Sequence, residues 1–164
     1  LNPVDVDAAP DLTDPTTLSE KWLLVALSQF PALCSLNDFA RIGKANFSSP
    51  WYRDIARALY QARSLLGDGY DAAEVMSRLA DNVKPAFREI LMVEIPANDD
   101  AGRAKYAAGV LNRALEKAIE NEKNQLRSDR RSADAIGDDR RIAEIDQAIV
   151  SLDAEIHALR RARS

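Results

Sequence analysis

One cysteine, Cys34, and one histidine, His157, occur among the 164 residues. A single thiol excludes an internal disulfide and fits a reducing, cytoplasmic setting. The two residues fall in different parts of the inferred architecture, so a thiol–imidazole nucleophile is not expected. Cys34 reads as a small core residue, and His157 lacks the companions a metal ligand needs. Glycine is scarce, with 6 residues, and β-branched or aromatic clusters at period two are absent, which disfavours a β fold. No apolar run approaches 18 residues, so no transmembrane helix is expected. The start is acidic and Pro-rich rather than basic then apolar, unlike a signal peptide. It opens on Leu1 rather than Met, as expected of a fragment excised from a longer protein.

What is present is 46% hydrophobic and 29% charged, enough to bury a core and stay in solution. Ala, Leu and Arg, all good helix formers, are common, and an all-α fold is expected. The net charge of −4 is uneven. Residues 1–100 hold 9 Lys/Arg against 15 Asp/Glu, and residues 101–164 hold 13 against 11. The first part is unlike a duplex-DNA binder, and the mixed signs of the second suit a solvated arm.

Residues 1–15 carry three Pro and four Asp without periodicity and read as a flexible linker. A helix from Leu18 follows, with Thr17 and Glu20 as a capping box. Its Trp22–Leu27 run leaves almost no polar face, which places it centrally. A short helix is expected over 32–36 and a further turn over 38–42, stopped by Gly43. Ser49-Pro50 is a helix start, an N-cap followed by Pro at the first helical position, and that helix runs to Leu66 before Gly67-Asp68-Gly69. Asp71 caps a short helix carrying Val75 and Leu79, and another is expected over 84–93.

From Ala101 to about Arg131 a long helix begins small and apolar and thins to one stripe of Leu115, Ile119 and Leu126, interrupted by Glu122. Ala107-Ala108-Gly109 within it suits close helix packing or a hinge. After a polar turn containing Gly137 comes the most regular stretch of the chain. Ile142, Ile145, Ile149, Leu152, Ile156 and Leu159 are spaced 3, 4, 3, 4, 3, an a/d heptad seam. The two long helices are expected to form an antiparallel hairpin. The implied organisation is linker 1–15, globular helical subdomain 16–112 of about six helices, and projecting hairpin 113–164.

No catalytic constellation, phosphate loop, dinucleotide fingerprint or calcium loop is recognisable. Asp99-Asp100 and Asp138-Asp139 each precede a helix, where carboxylates cap and favour the dipole. Arginines cluster at the ends of the arm: Arg127, Arg130, Arg131, Arg140 and Arg141, then Arg160, Arg161 and Arg163. They suit solvated faces and helix C-termini, or contact with a partner. Residue physics thus ends at a helical interaction module.

Three motifs then carry a resemblance. They are Leu18–Leu27 followed by Gln29-Phe30-Pro31-Ala32-Leu33; Phe47-Ser48-Ser49-Pro50-Trp51-Tyr52-Arg53; and Tyr106–Leu111 in the long helix. In order and spacing, over residues 16–164, they resemble the C-terminal helicase-binding domain of bacterial DnaG-type DNA primases, particularly the actinobacterial kind. The resemblance implies a non-catalytic domain whose hairpin docks on the N-terminal domains of the hexameric replicative helicase, keeping primer synthesis at the fork. The contacts it suggests are at the arm tip and outer face: Arg127, Arg130, Arg131, Arg140, Arg141, His157, Arg160 and Arg161. It also implies a site for the acidic tail of single-stranded-DNA-binding protein, with Lys21 and Leu24 opposite Arg88 and Met92. Glu20 departs from the family pattern beside that site. The domain itself would need no cofactor, while the parent primase, a DNA-directed RNA polymerase, would use zinc and magnesium. No membrane partner is expected. Two other readings stay open: the N-terminal domain of the replicative helicase, which has a similar Phe-x-x-Pro entry, and a homodimeric coiled coil through the Asp139–Arg163 seam.

Overall fold

A computed structural model describes residues 3–163. The fold is all-α, with no strand among the described residues. Seven α-helices follow in order: α1 Pro15–Gln29, α2 Leu36–Asn46, α3 Pro50–Leu66, α4 Ala72–Ser77, α5 Lys84–Met92, α6 Asp100–Ala135 and α7 Asp139–Ala162. Two 3-10 turns, Val6–Ala8 and Pro31–Leu33, complete the order. No helix among the described residues is long and apolar enough to cross a membrane.

Local chemistry sets most of the boundaries. Asp14, Ser35, Ser49, Asp71, Asp99 and Asp138 each cap the helix that follows, accepting a backbone N–H from its first turn. Gly67 ends α3 at φ 79 and Gly137 turns the hairpin at φ 71, in the left-handed region where a side chain is disfavoured.

Three expectations need correction. First, α1 starts at Pro15 under an Asp14 cap, whose carboxylate accepts from the backbone N–H of Thr17 at 3.1 Å. Thr17 and Glu20 are therefore not a capping box. Second, the two short pieces expected around Gly43 are one 3-10 turn and one continuous helix, α2, that passes through Gly43. Burial of Phe39 and Ile42 on its inner face outweighs the roughly 1 kcal/mol that an interior glycine costs. Third, part of the expected linker lies against the globule. Asn82 accepts from the Val4 N–H at 3.3 Å and donates to the Val4 carbonyl at 2.6 Å, and the Trp51 indole donates to the Asp5 carbonyl at 2.9 Å. The Asn82 amide supplies both a donor and an acceptor to the extended chain, as a neighbouring backbone would.

The central position expected for α1 is found: Leu23, Leu24, Val25, Ala26 and Leu27 are all buried. Around them pack Phe39 and Ile42 of α2, Ile55 and Leu59 of α3, Phe87 and Ile90 of α5, and Ala107 and Leu111 of α6. Gln29, at the end of α1, donates to the carbonyls of Ile90 (3.0 Å) and Val93 (2.8 Å) and so caps α5.

At about 1.5 Å per residue, the 36 residues of α6 span roughly 54 Å. Its first half belongs to the globular core and its second half carries α7. The expected division at 112/113 falls inside this helix. Ala114 still belongs to the core, and Asn46 of α2 donates to the Ala114 carbonyl at 3.1 Å.

Candidate functional site

The hairpin is the element whose form the globule does not require. The apolar seam of α7 faces α6. Ile145 and Ile156 are fully buried, Ile142, Ile149, Leu152 and Leu159 partly so, while most residues between them are exposed. From α6 they meet a face that includes Ala118, Ile119 and Ala133. The heptad spacing is thus used within one chain.

Polar ties cross the same interface. The ammonium of Lys123, 7% exposed, lies 2.5 Å from Asp153. Arg130 holds Asp146 with both arms of its guanidinium, at 2.8 and 3.3 Å. Near the end of α7, Arg160 and Arg163 converge on Glu116 at 2.7 and 2.5 Å. The carboxyls respond accordingly: Arg163 and Arg160 hold Glu116 below its usual range, Arg130 does so for Asp146, and Lys123 for Asp153.

Ion pairs from one residue of the globule reach both helices of the arm. Arg41 of α2 reaches Glu122 on α6 through a bidentate pair, at 2.8 and 3.3 Å, and Glu155 on α7 at 2.7 Å. Its hydrogen bond to Glu122, ahead of that to Glu155, raises the already high pKa of its guanidinium further. Glu122, which in the sequence only interrupted an apolar stripe, is one half of this clasp.

The arginines expected at a docking face therefore divide. Arg130 and Arg160 are engaged within the hairpin, by Asp146 and Glu116, while their side chains stay about half exposed on its surface. Arg127 is exposed and donates to Asn124 at 2.8 Å. Arg140 and Arg141 share Glu144 at 3.4 and 3.7 Å. Arg131, His157 and Arg161 are exposed. Two apolar residues outside the seam register were missed: Ile136 at the hairpin tip, 79% exposed, and Val150 on α7, 62% exposed. Their displacement from the 3-4 rhythm was the available signal.

The second expected site is not assembled. Leu24 is fully buried in the core and can line no surface, because α1 is enclosed where that site would need an open face. Lys21 is held by Glu89 at 2.6 Å, while Arg88 and Met92 are exposed on α5. A cleft of about 440 Å³ does open between α1 and α6, over an edge-to-face pair of Trp22 and Tyr106 at 5.8 Å.

No protein-family model, curated protein or solved structure matches the chain.

Cys34 is buried, and burial pushes its thiol up to about 11, so it is protonated at neutral pH. His157 lies exposed on α7. No group of three or more His, Cys, Asp or Glu among the described residues could hold a metal ion.

Proposed function

We propose that this chain is the helicase-binding domain of a bacterial DNA primase and docks the primase on the N-terminal domains of the hexameric replicative helicase. The observation that carries the reading is the closed seam. The Ile and Leu residues that build the arm are used against α6, so the arm's exterior is left for another protein. On that exterior, Ile136 at the tip is 79% exposed, with Asp134, Asp138 and Asp139 beside it in the chain and Arg131 and Arg140 just beyond, an apolar residue within a charged surround of the kind that interfaces favour. The ordered motifs of the sequence analysis support the same assignment, and they have structural work consistent with it. Gln29 caps α5, Ser49-Pro50 starts α3, and Tyr106 packs on Trp22. In this reading the domain positions a polymerase that lies elsewhere in the parent protein, whose zinc and magnesium are not this domain's concern. A homodimer through the seam has less support, since α6 already covers Ile145 and Ile156.

The test is a titration against the helicase N-terminal domains. The intact chain binds; a chain lacking residues 120–164 does not; and Ile145→Asp, which forces a carboxylate into the seam at a cost of several kcal/mol, loses binding while the globule stays helical by circular dichroism. No binding by the intact chain, or undiminished binding by the truncated one, overturns the reading.

A further inference from the structure

Val4 and Asp5 are gripped by two side chains from different parts of the globule. Asn82, in the turn between α4 and α5, pairs with both backbone groups of Val4, at 3.3 and 2.6 Å. Trp51, in the first turn of α3, donates to the carbonyl of the next residue, Asp5, at 2.9 Å. The Val4 side chain packs against the hydrophobic core. Between these contacts and the Asp14 cap of α1 the chain bonds only to itself. Among the described residues, the hydrogen bonds of residues 6–13 stay within residues 5–14, and most of that stretch is exposed. Two points of attachment thus enclose a loosely held loop.

Neither gripping side chain is sealed from water. Trp51 and Asn82 are both half-buried, as is Val4. When Val4 and Asp5 lift away, water can therefore take over the freed donors and acceptor, and no unpaired group is left inside. The helix behind them is different. Leu23–Leu27 of α1 are buried, so opening there exposes the core. The first attachment can open while the second stays closed, as a local event within a folded molecule.

We propose that residues 4 and 5 form a reversible latch on the segment leading into the domain, with Asn82 and Trp51 as its catch. Closed, the latch brings that segment in over the start of α3 and the α4–α5 turn. Open, it frees the chain up to Asp14, about ten residues, and at about 3.3 Å per extended residue lengthens the tether in front of α1 by up to roughly 33 Å while the globule stays folded. In a parent primase this would set how far the polymerase ranges from the docked arm. The latch itself does not depend on that reading, nor on what the hairpin binds.

The test is hydrogen exchange on the full chain, joined to the distance between spin labels at Pro3→Cys and Arg57→Cys. In the wild type the Val4 N–H and the Trp51 indole N–H are protected together, by at least about tenfold, yet exchange well before the amides of Leu23–Leu27. Asn82→Leu removes both bonds to Val4. Protection at Val4 and at the Trp51 indole then falls toward that of a free peptide, the label distance changes from short and narrow to long and broad, and the Leu23–Leu27 amides keep their protection. Trp51→Phe keeps a ring but loses the donor, and shifts the distances part of the way. A Val4 N–H that exchanges as in a free peptide in the wild type, or only together with Leu23–Leu27, overturns the proposal. So does unchanged protection of the Trp51 indole in Asn82→Leu, or loss of Leu23–Leu27 protection in both variants.

Discussion

Glu20 and Arg63 are nearly inaccessible, at 3% and 1% exposure, yet neither has an ion-pair partner among the described residues. Both serve α3, at opposite ends. The Glu20 carboxylate accepts the backbone N–H groups of Ser48 and Ser49 just ahead of the helix, together with the Ser48 hydroxyl at 3.0 Å. The Arg63 guanidinium donates to the Gly67 carbonyl at 3.1 and 2.8 Å and to the Cys34 carbonyl at 2.6 Å. A negative charge thus faces the positive end of the α3 dipole, and a positive charge the negative end. Glu20→Ala leaves buried N–H groups unpaired and is expected to cost about 1–3 kcal/mol, with Glu20→Gln costing less because one acceptor remains. Denaturant midpoints at a constant slope measure both, and a neutral Glu20→Ala would remove Glu20 from this role. From sequence, Glu20 is three residues past Thr17 and looks like part of a capping box. Its true partners are 28 and 29 residues away, where no local pattern reaches.

At the scale of elements, the boundaries written in local chemistry were the legible ones. Ser49-Pro50, Asp99, Asp138 and Gly137 mark starts and turns by groups within a few residues of the helices they serve. The hairpin seam was legible because period alone defines it. Gly43 misled because its meaning depends on Phe39 and Ile42 packing into a core that periodicity does not display. The ties across the hairpin were equally invisible, since Glu116–Arg163 and Lys123–Asp153 are chosen by the register of α6 on α7. That register makes the arm acid-sensitive. Glu116, Asp146 and Asp153 all have depressed pKa values, so each contributes stability that is fully present above the ordinary values of 4.5 and 3.8. Below those values it is lost as each carboxylate takes a proton at its lower folded-state pKa. The expected outcome on acidification from pH 5 is faster amide exchange in α7 before any change in the Leu23–Leu27 stretch of α1, whose side chains are buried in the apolar core. Simultaneous loss of protection in both helices would show that the ties do not set the arm's stability.

For the molecule as a whole, the consequential fact is that α6 belongs to both parts. A single helix entering the globular core and leaving as half of the arm gives the arm a direction but not a fixed bend or rotation. Those come from α2, through the Asn46 bond to the Ala114 carbonyl and the Arg41 clasp on Glu122 and Glu155. The Arg41 side chain is 19% exposed and its partners 40% and 47%, so solvent screens the pairs, and global stability should change by only about 1 kcal/mol or less in Arg41→Ala. Geometry should change more than stability. A spin label on the outer face of α2 and another on α7 are expected to give a narrow distance distribution in the wild type and a broad one in Arg41→Ala. Arg41→Lys should fall between them, because an ammonium cannot span both carboxylates as the guanidinium fork does. If the arm docks as proposed, the looser variant must order it on binding, and its affinity for the helicase domains should fall a few-fold although no contact residue is altered. An unchanged distance distribution in Arg41→Ala would mean that α6 alone aims the arm and that the clasp is incidental.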